Sequence, residues 1–174
     1  MILHLLFFLF SSNAAHVTYV DAPPEVSYEP EINAVMAMFN QNELAPQYIK
    51  AKFNEVITEK RKQIMNYGKY YREKLNDRQR IDRNEYDSKM TADTKAWRTQ
   101  NPKGNFRDYA KESSDKRKAF NDEMNKARKE LEETQKNRLK QFEDVARIRR
   151  EEFSKKFPEY EKAFKEKESA KKTA

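Results

Sequence analysis

Two long charged segments, residues 46–100 and 105–157, flank Asn101-Pro102-Lys103-Gly104, and both repeat apolar residues at spacings of three and four. That spacing keeps one side of an α-helix apolar and leaves the rest for water. In the first segment the stripe reads Ile49, Phe53, Val56/Ile57, Ile64, Tyr67, Tyr71, Leu75, Ile81, Tyr86, Met90, Trp97; in the second it reads Phe106, Tyr109, Phe120, Met124, Ala127, Leu131, Leu139, Phe142, Val145/Ala146, Ile148, Phe153 and Phe157. Nearly equal lengths and a short connection favour antiparallel packing. The predicted fold is therefore all-α: an antiparallel helical hairpin, coiled-coil-like, with short flanking helices at its open end. Trp97 falls near the tip, and residues around Ile49 face those around Phe153.

The seam is expected to follow heptads, with gaps. Lys60 and Arg78 stand where apolar residues belong, Gly68 interrupts the first stripe, and the second slips by about a residue between Leu131 and Leu139. Charge from Asn76 to Asp87 is nearly continuous, which leaves the helix there open to fraying or a break.

Composition decides between helix and disorder. Charged residues are 37% of the chain, as many as all hydrophobics, and mean hydropathy is −1.16. A chain so polar either stays unfolded or forms long helices burying a narrow stripe. Only two glycines and 12% aromatics favour the helices.

The flanks are organised differently. Leu5–Phe10 is a short apolar run before Ser12-Asn13-Ala14, the pattern of a signal peptide cleaved after residue 14, and it is about half the length of a membrane span. Residues 15–29, with Pro23 and Pro24, read as an extended arm. The single helical domain then covers 30–168: a short helix 30–40 opened by Pro30 with Ile32, Val35, Met36 and Phe39 inward, the long helices 46–100 and 105–157, and a short helix 158–168 begun where Pro158 halts its predecessor. Residues 169–174 form a basic tail. This organisation predicts a secreted, extracellular protein.

The chemistry open to such a chain is narrow. It has no cysteine and two histidines, His4 and His16, the first of them in the leader. Disulfides, His/Cys metal sites, thiol catalysis and a serine–histidine–acid triad all lack their residues. Two glycines cannot build a phosphate-binding loop. Asp82–Asp87 looks superficially like a calcium loop but lacks its glycine and lies in a helical pattern. Neither catalytic residues, metal nor cofactor is expected.

The net charge of +7 is divided between an acidic stretch over 15–49 and a basic rod beyond it, a field that suits anionic surfaces or lipid headgroups. Acids near Lys60-Arg61-Lys62, Lys116-Arg117-Lys118 and Arg147–Arg150 are spaced for intrahelical ion pairs, which blunt the field and argue against nucleic acid.

Two stretches, Phe39-Asn40-Gln41-Asn42-Glu43-Leu44 and Phe157-Pro158-Glu159-Tyr160-Glu161-Lys162-Ala163-Phe164, together with the leader, arm and Lys/Glu-rich helices, give a layout that resembles the SXP/RAL family of small secreted nematode proteins. The resemblance implies an extracellular helical protein, often an antigen, without established catalysis, and carries no site residues across. The functional expectation is a non-enzymatic interaction protein working through its rod faces, with a protein partner or by self-association. The alternative is an extracellular carrier of lipid or another small apolar ligand, in a pocket at the open end lined by Met36, Phe39, Phe53, Phe153, Phe157 and Phe164.

Overall fold

Proline sets both ends of the first long helix. Pro46 occupies its first turn, where a fixed φ suits the helix and no N–H is needed. At the other end Pro102 drives Asn101 out of the α region, to φ −125° and ψ 60°, so the helix stops at Gln100. The Asn101 side-chain Nδ2 caps the Trp97 carbonyl at 3.0 Å, and the Gly104 N–H closes the turn onto the Asn101 carbonyl at 2.9 Å. A β-carbon on Gly104 would lie 2.8 Å from Asn101 Cβ and 3.0 Å from Trp97 Cη2, so the turn admits only glycine without shifting. Asn105 then starts the next helix: its Oδ1 accepts from the Arg107 N–H at 3.1 Å and its Nδ2 donates to Asp108 Oδ2 at 2.9 Å.

The computed structural model describes residues 26–173 except 42; the expected signal peptide 1–14, and the expected arm 15–29 up to residue 25, lie outside them. The described residues form α1 (Glu29–Ala37), a 3-10 turn (Met38–Asn40), α2 (Pro46–Gln100) and α3 (Phe106–Thr173), with no strand among them. The protein is all-α. At about 1.5 Å per residue, α2 spans roughly 80 Å and α3 roughly 100 Å. Residues 76–87 stay helical throughout.

The seam corrects the heptad expectation. Its central layers recur every eleven residues, at Phe53, Ile64, Leu75, Tyr86 and Trp97 on α2 and at Tyr109, Phe120, Leu131, Phe142 and Phe153 on α3. Antiparallel, they pair in order. Phe53 stacks on Phe153 at 4.4 Å, Tyr86 on Phe120 at 4.2 Å and Trp97 on Tyr109 at 4.9 Å, while Ile64 shares a cluster with Phe142 and Leu75 one with Leu131. Phe53, one turn beyond Ile49, is therefore the residue opposite Phe153. Eleven residues over three turns is about 3.67 per turn, close to the natural helix, so the pair needs little supercoil. The slip between Leu131 and Leu139 is the point where a heptad reading loses this longer repeat.

The apparent gaps in the stripe also resolve. Arg78 is exposed and pairs with Asp82 at 2.9 Å. The seam passes instead through Gln79, 6% exposed, whose Nε2 donates to the Met124 carbonyl at 2.7 Å while Arg128 donates to its Oε1 at 2.9 Å. Lys60 and Arg61 reach other elements rather than Glu55 or Glu59: Lys60 meets Glu31 of α1 at 2.5 Å, and Arg61 meets Glu143 of α3 at 3.0 Å. Glu55 pairs with Lys52 at 3.0 Å instead.

The second correction is at Pro158. α3 runs through it to Thr173, so no separate helix 158–168 forms, and the basic tail continues the same helix as far as Thr173. Packing on both sides overrides the lost hydrogen bond. Phe153 and Phe157 stack at 5.4 Å, and Tyr160, 8% exposed, lies beyond the proline with its hydroxyl between the Gln41 and Leu44 carbonyls, 2.7 Å from each. Pro158 itself faces solvent.

The main core sits at the open end, where α1 crosses the hairpin and buries Ile32 and Val35 with Ile49, Phe53, Ile57, Phe142, Ala146 and Phe153. The Glu31–Lys60 bridge clips α1 to α2 and holds the Glu31 carboxyl below its ordinary range, chiefly through that hydrogen bond. A depressed carboxylate contributes stability above its unfolded pKa and loses it as pH falls through the folded one. The expected result is that Glu31→Gln weakens the fold near neutrality and flattens its acid-side loss of stability. Denaturant titrations of both proteins at neutral and acidic pH check this; parallel curves would mean that the bridge adds nothing. The raised pKa of Lys52 and Lys116, each hydrogen-bonded to a glutamate, acts on the opposite limb. Their contributions are complete below the unfolded lysine pKa and fade in strongly alkaline solution.

Candidate functional site

Of the six residues assigned to an apolar pocket, the structure gathers five at the open end. Phe53 and Phe153 are buried; Met36, Phe39 and Phe157 pack against the same cluster, with Phe39 and Phe153 5.1 Å apart. These rings occupy one another's space as core. Phe164, half-buried further along α3, is not among the described residues packed on that cluster. The stretches 39–44 and 157–164, far apart in sequence, meet here through the Tyr160 hydroxyl.

The calcium-like stretch is a helical surface. Its Asp82 is bound to Arg78, and its Asp87 to Arg117 at 2.9 Å. Among the described residues no group of three or more histidines or acids is placed to hold a metal ion, and no helix is long and apolar enough to cross a membrane.

Open space appears in the distal half of the hairpin instead. Between the Tyr86/Phe120 and Trp97/Tyr109 layers, Thr94 on α2 and Ser113 on α3 are small, partly buried residues beside Met90, and the exposed Thr91, Ala110 and Ser114 flank them. Large side chains on either side hold the helices apart and these cannot fill the interval, which leaves an open groove of about 770 Å³. A second groove of about 450 Å³, lined by Arg83, Asp87, Asn121 and Asn125, adjoins it, and Arg117 borders both.

The larger groove has a distinct chemistry. Lys95, Arg98 and Arg117 line it, and no Asp or Glu does. Arg117 is engaged by Asp87, whereas Arg98 lies over the Phe106 ring, its Cζ 4.6 Å from the centroid. Phe106 remains 39% exposed at the rim. The threonines donate their hydroxyl protons to their own helix: Thr91 to the Asp87 carbonyl at 2.8 Å, Thr94 to Met90 at 2.7 Å and Thr99 to Lys95 at 3.0 Å. The Thr91 and Thr99 oxygens therefore offer lone pairs rather than a proton, while Thr94 Oγ1 also meets the Tyr109 hydroxyl at 3.4 Å. The pair of grooves was not singled out from sequence. Its signal there is the cluster of small residues Thr91, Thr94, Ala110, Ser113 and Ser114 between two aromatic layers.

A second surface feature lies on α2. Tyr48, Tyr70 and Ile81 are 52%, 43% and 45% exposed, so Ile81, expected in the apolar stripe, faces away from the seam, as does Ile148 on α3 at 47%; the spacings of twenty-two and eleven residues are close to whole numbers of turns. The three on α2 form one line along the helix. We found no match to this chain among protein-family models, characterised proteins or solved structures.

Proposed function

We propose that this protein is a secreted, non-enzymatic helical interaction protein whose hairpin serves as a rod for self-association or a protein partner. The observation that carries this reading is the line of Tyr48, Tyr70 and Ile81. These large apolar side chains stand exposed on one face of α2, away from the seam with α3, where a partner can cover them. The apolar run at residues 5–10 supports export. The open-end rings support an interaction role over a carrier, because they are packed against each other. Kinship with the SXP/RAL proteins forms part of the proposal, supported by the contact between the two stretches that carry the resemblance.

The test is sedimentation of the protein from residue 15 across a wide concentration range, beside capture from extracellular fluid. Association or specific capture is expected for the natural chain, and its loss in Tyr48→Ser/Tyr70→Ser/Ile81→Ser with the melting temperature retained. A protein that stays monomeric and captures nothing defeats the reading. Intact Met1 on protein found only in the cytosol defeats the assignment to the extracellular space.

A further inference from the structure

We infer that the distal groove between α2 and α3 binds a sulfated saccharide; this rests on the extracellular interaction reading above and names a ligand class for a second site on the same rod. Three features of the groove select that chemistry together. Its lining carries Lys95, Arg98 and Arg117 without a single carboxylate, although acids accompany the basic clusters elsewhere. Over residues 88–120 nine Lys or Arg stand against four Asp or Glu, so the groove lies in a basic field that attracts an anion. A guanidinium or ammonium meets sulfate oxygens through charge-assisted hydrogen bonds.

Charge alone does not distinguish a sulfated sugar from other anions; the hydroxyls do. Thr91 and Thr99 have committed their protons to helix carbonyls, so toward the groove they only accept. A simple phosphate or sulfate can accept from the Ser113 and Ser114 hydroxyls, which also line the groove, but gains nothing from these threonines. A saccharide brings hydroxyl donors along with its sulfates and satisfies both sets. The aromatic rim contributes the third element: Phe106, 39% exposed, offers the part of its ring that Arg98 does not cover to the C–H face of a pyranose. A volume of about 770 Å³, open along the rod, accommodates a few sugar units of a longer chain.

The experiment is calorimetric titration of the protein from residue 15 with a heparin octasaccharide at physiological salt, beside an unsulfated octasaccharide of the same backbone. Lys95→Gln/Arg98→Gln is expected to weaken heparin binding by about tenfold or more. Lys69→Gln/Arg72→Gln, which removes the same charge from the exposed surface of α2, should change it by no more than about twofold. Thr91→Val/Thr99→Val, which keeps every charge, should weaken it by about three- to tenfold. The unsulfated octasaccharide should bind at least about tenfold less well than heparin. Circular dichroism verifies the fold of each variant, and if the Arg98 change disturbs the tip, Lys95→Gln alone carries the comparison.

Equal losses in the two lysine–arginine pairs would reduce the effect to general charge attraction and overturn the inference. So would no heparin binding by the folded natural chain, equal binding of the unsulfated sugar, unchanged affinity in the threonine variant, or binding to phosphatidylglycerol vesicles without binding to the octasaccharide. If heparin fails while association through Tyr48, Tyr70 and Ile81 persists, the saccharide site alone falls and the interaction reading stands.

Discussion

Phe142→Ala should lose about 3–5 kcal/mol of stability, the cost of removing a fully buried aromatic ring and leaving its cavity. Phe142 is 1% exposed, meets Tyr28 edge-on at 5.1 Å, and lies where α1 closes over the hairpin. Three elements lose contact at once, and a narrow seam has little else to collapse inward. That loss is comparable to the total stability of many small domains, so partial unfolding of the open end is expected at physiological temperature. Phe120→Ala is the useful contrast. From sequence, the regular stretch Phe120–Leu131 reads as the best-formed part of the second seam and the costliest to truncate. In the structure Phe120 is half-buried, sandwiched on one side by Tyr86 beside an open groove, and its loss should be about 1–2 kcal/mol. Lys129→Ala, on an exposed position, should change stability by no more than about 0.5 kcal/mol. Melts followed by circular dichroism rank the three; a Phe120 effect matching that of Phe142 would mean that the core is spread evenly along the rod.

Pro158→Ala should stabilise the protein by about 1–3 kcal/mol, an unusual direction for a substitution beside a core. In α3 the proline removes the N–H that would bond to the Ser154 carbonyl and presses its ring against the preceding turn. Alanine restores the donor and has the best helix propensity. Two effects keep the gain below the full proline penalty. The freed carbonyl lies on an exposed face open to solvent, and losing proline's restriction returns about 0.4–1 kcal/mol of entropy to the unfolded chain. Denaturant midpoints with an unchanged slope give the measurement. A loss of stability would mean that the helix needs the proline's distortion to bring Tyr160 onto the Gln41 and Leu44 carbonyls. Tyr160→Phe in the Pro158→Ala background separates these accounts, because it removes the hydroxyl anchor without touching the backbone.

How far the fold can be read along the chain depends on whether a feature's cause is local. Pro46, Asn101-Pro102, Gly104 and Asn105 act on their own backbone or on residues within one turn, so the limits of α2 and the position of the hinge follow from sequence. The short helix after Pro30 follows for the same reason. The eleven-residue repeat is also present in the sequence, most visibly as Tyr109, Phe120, Leu131, Phe142, Phe153 and Phe164. Steps of three and four look alike in both repeats over two turns, however, and the partner helix shows which residues form a layer.

The amino-acid sequence by itself determined that this protein is helical, cysteine-free and hinged near residue 102, because propensity, proline stereochemistry and amphipathic spacing operate within single segments. Tertiary structure alone decided three things. It carried α3 through Pro158, since the burial of Phe157 and Tyr160 outweighs one missing backbone hydrogen bond. It sent Lys60 and Arg61 to Glu31 and Glu143, since the ends of long side chains choose among all nearby carboxylates and not only those a turn away. And it opened the distal groove, since an unfilled interval exists only when large layers on both sides set the distance between two helices.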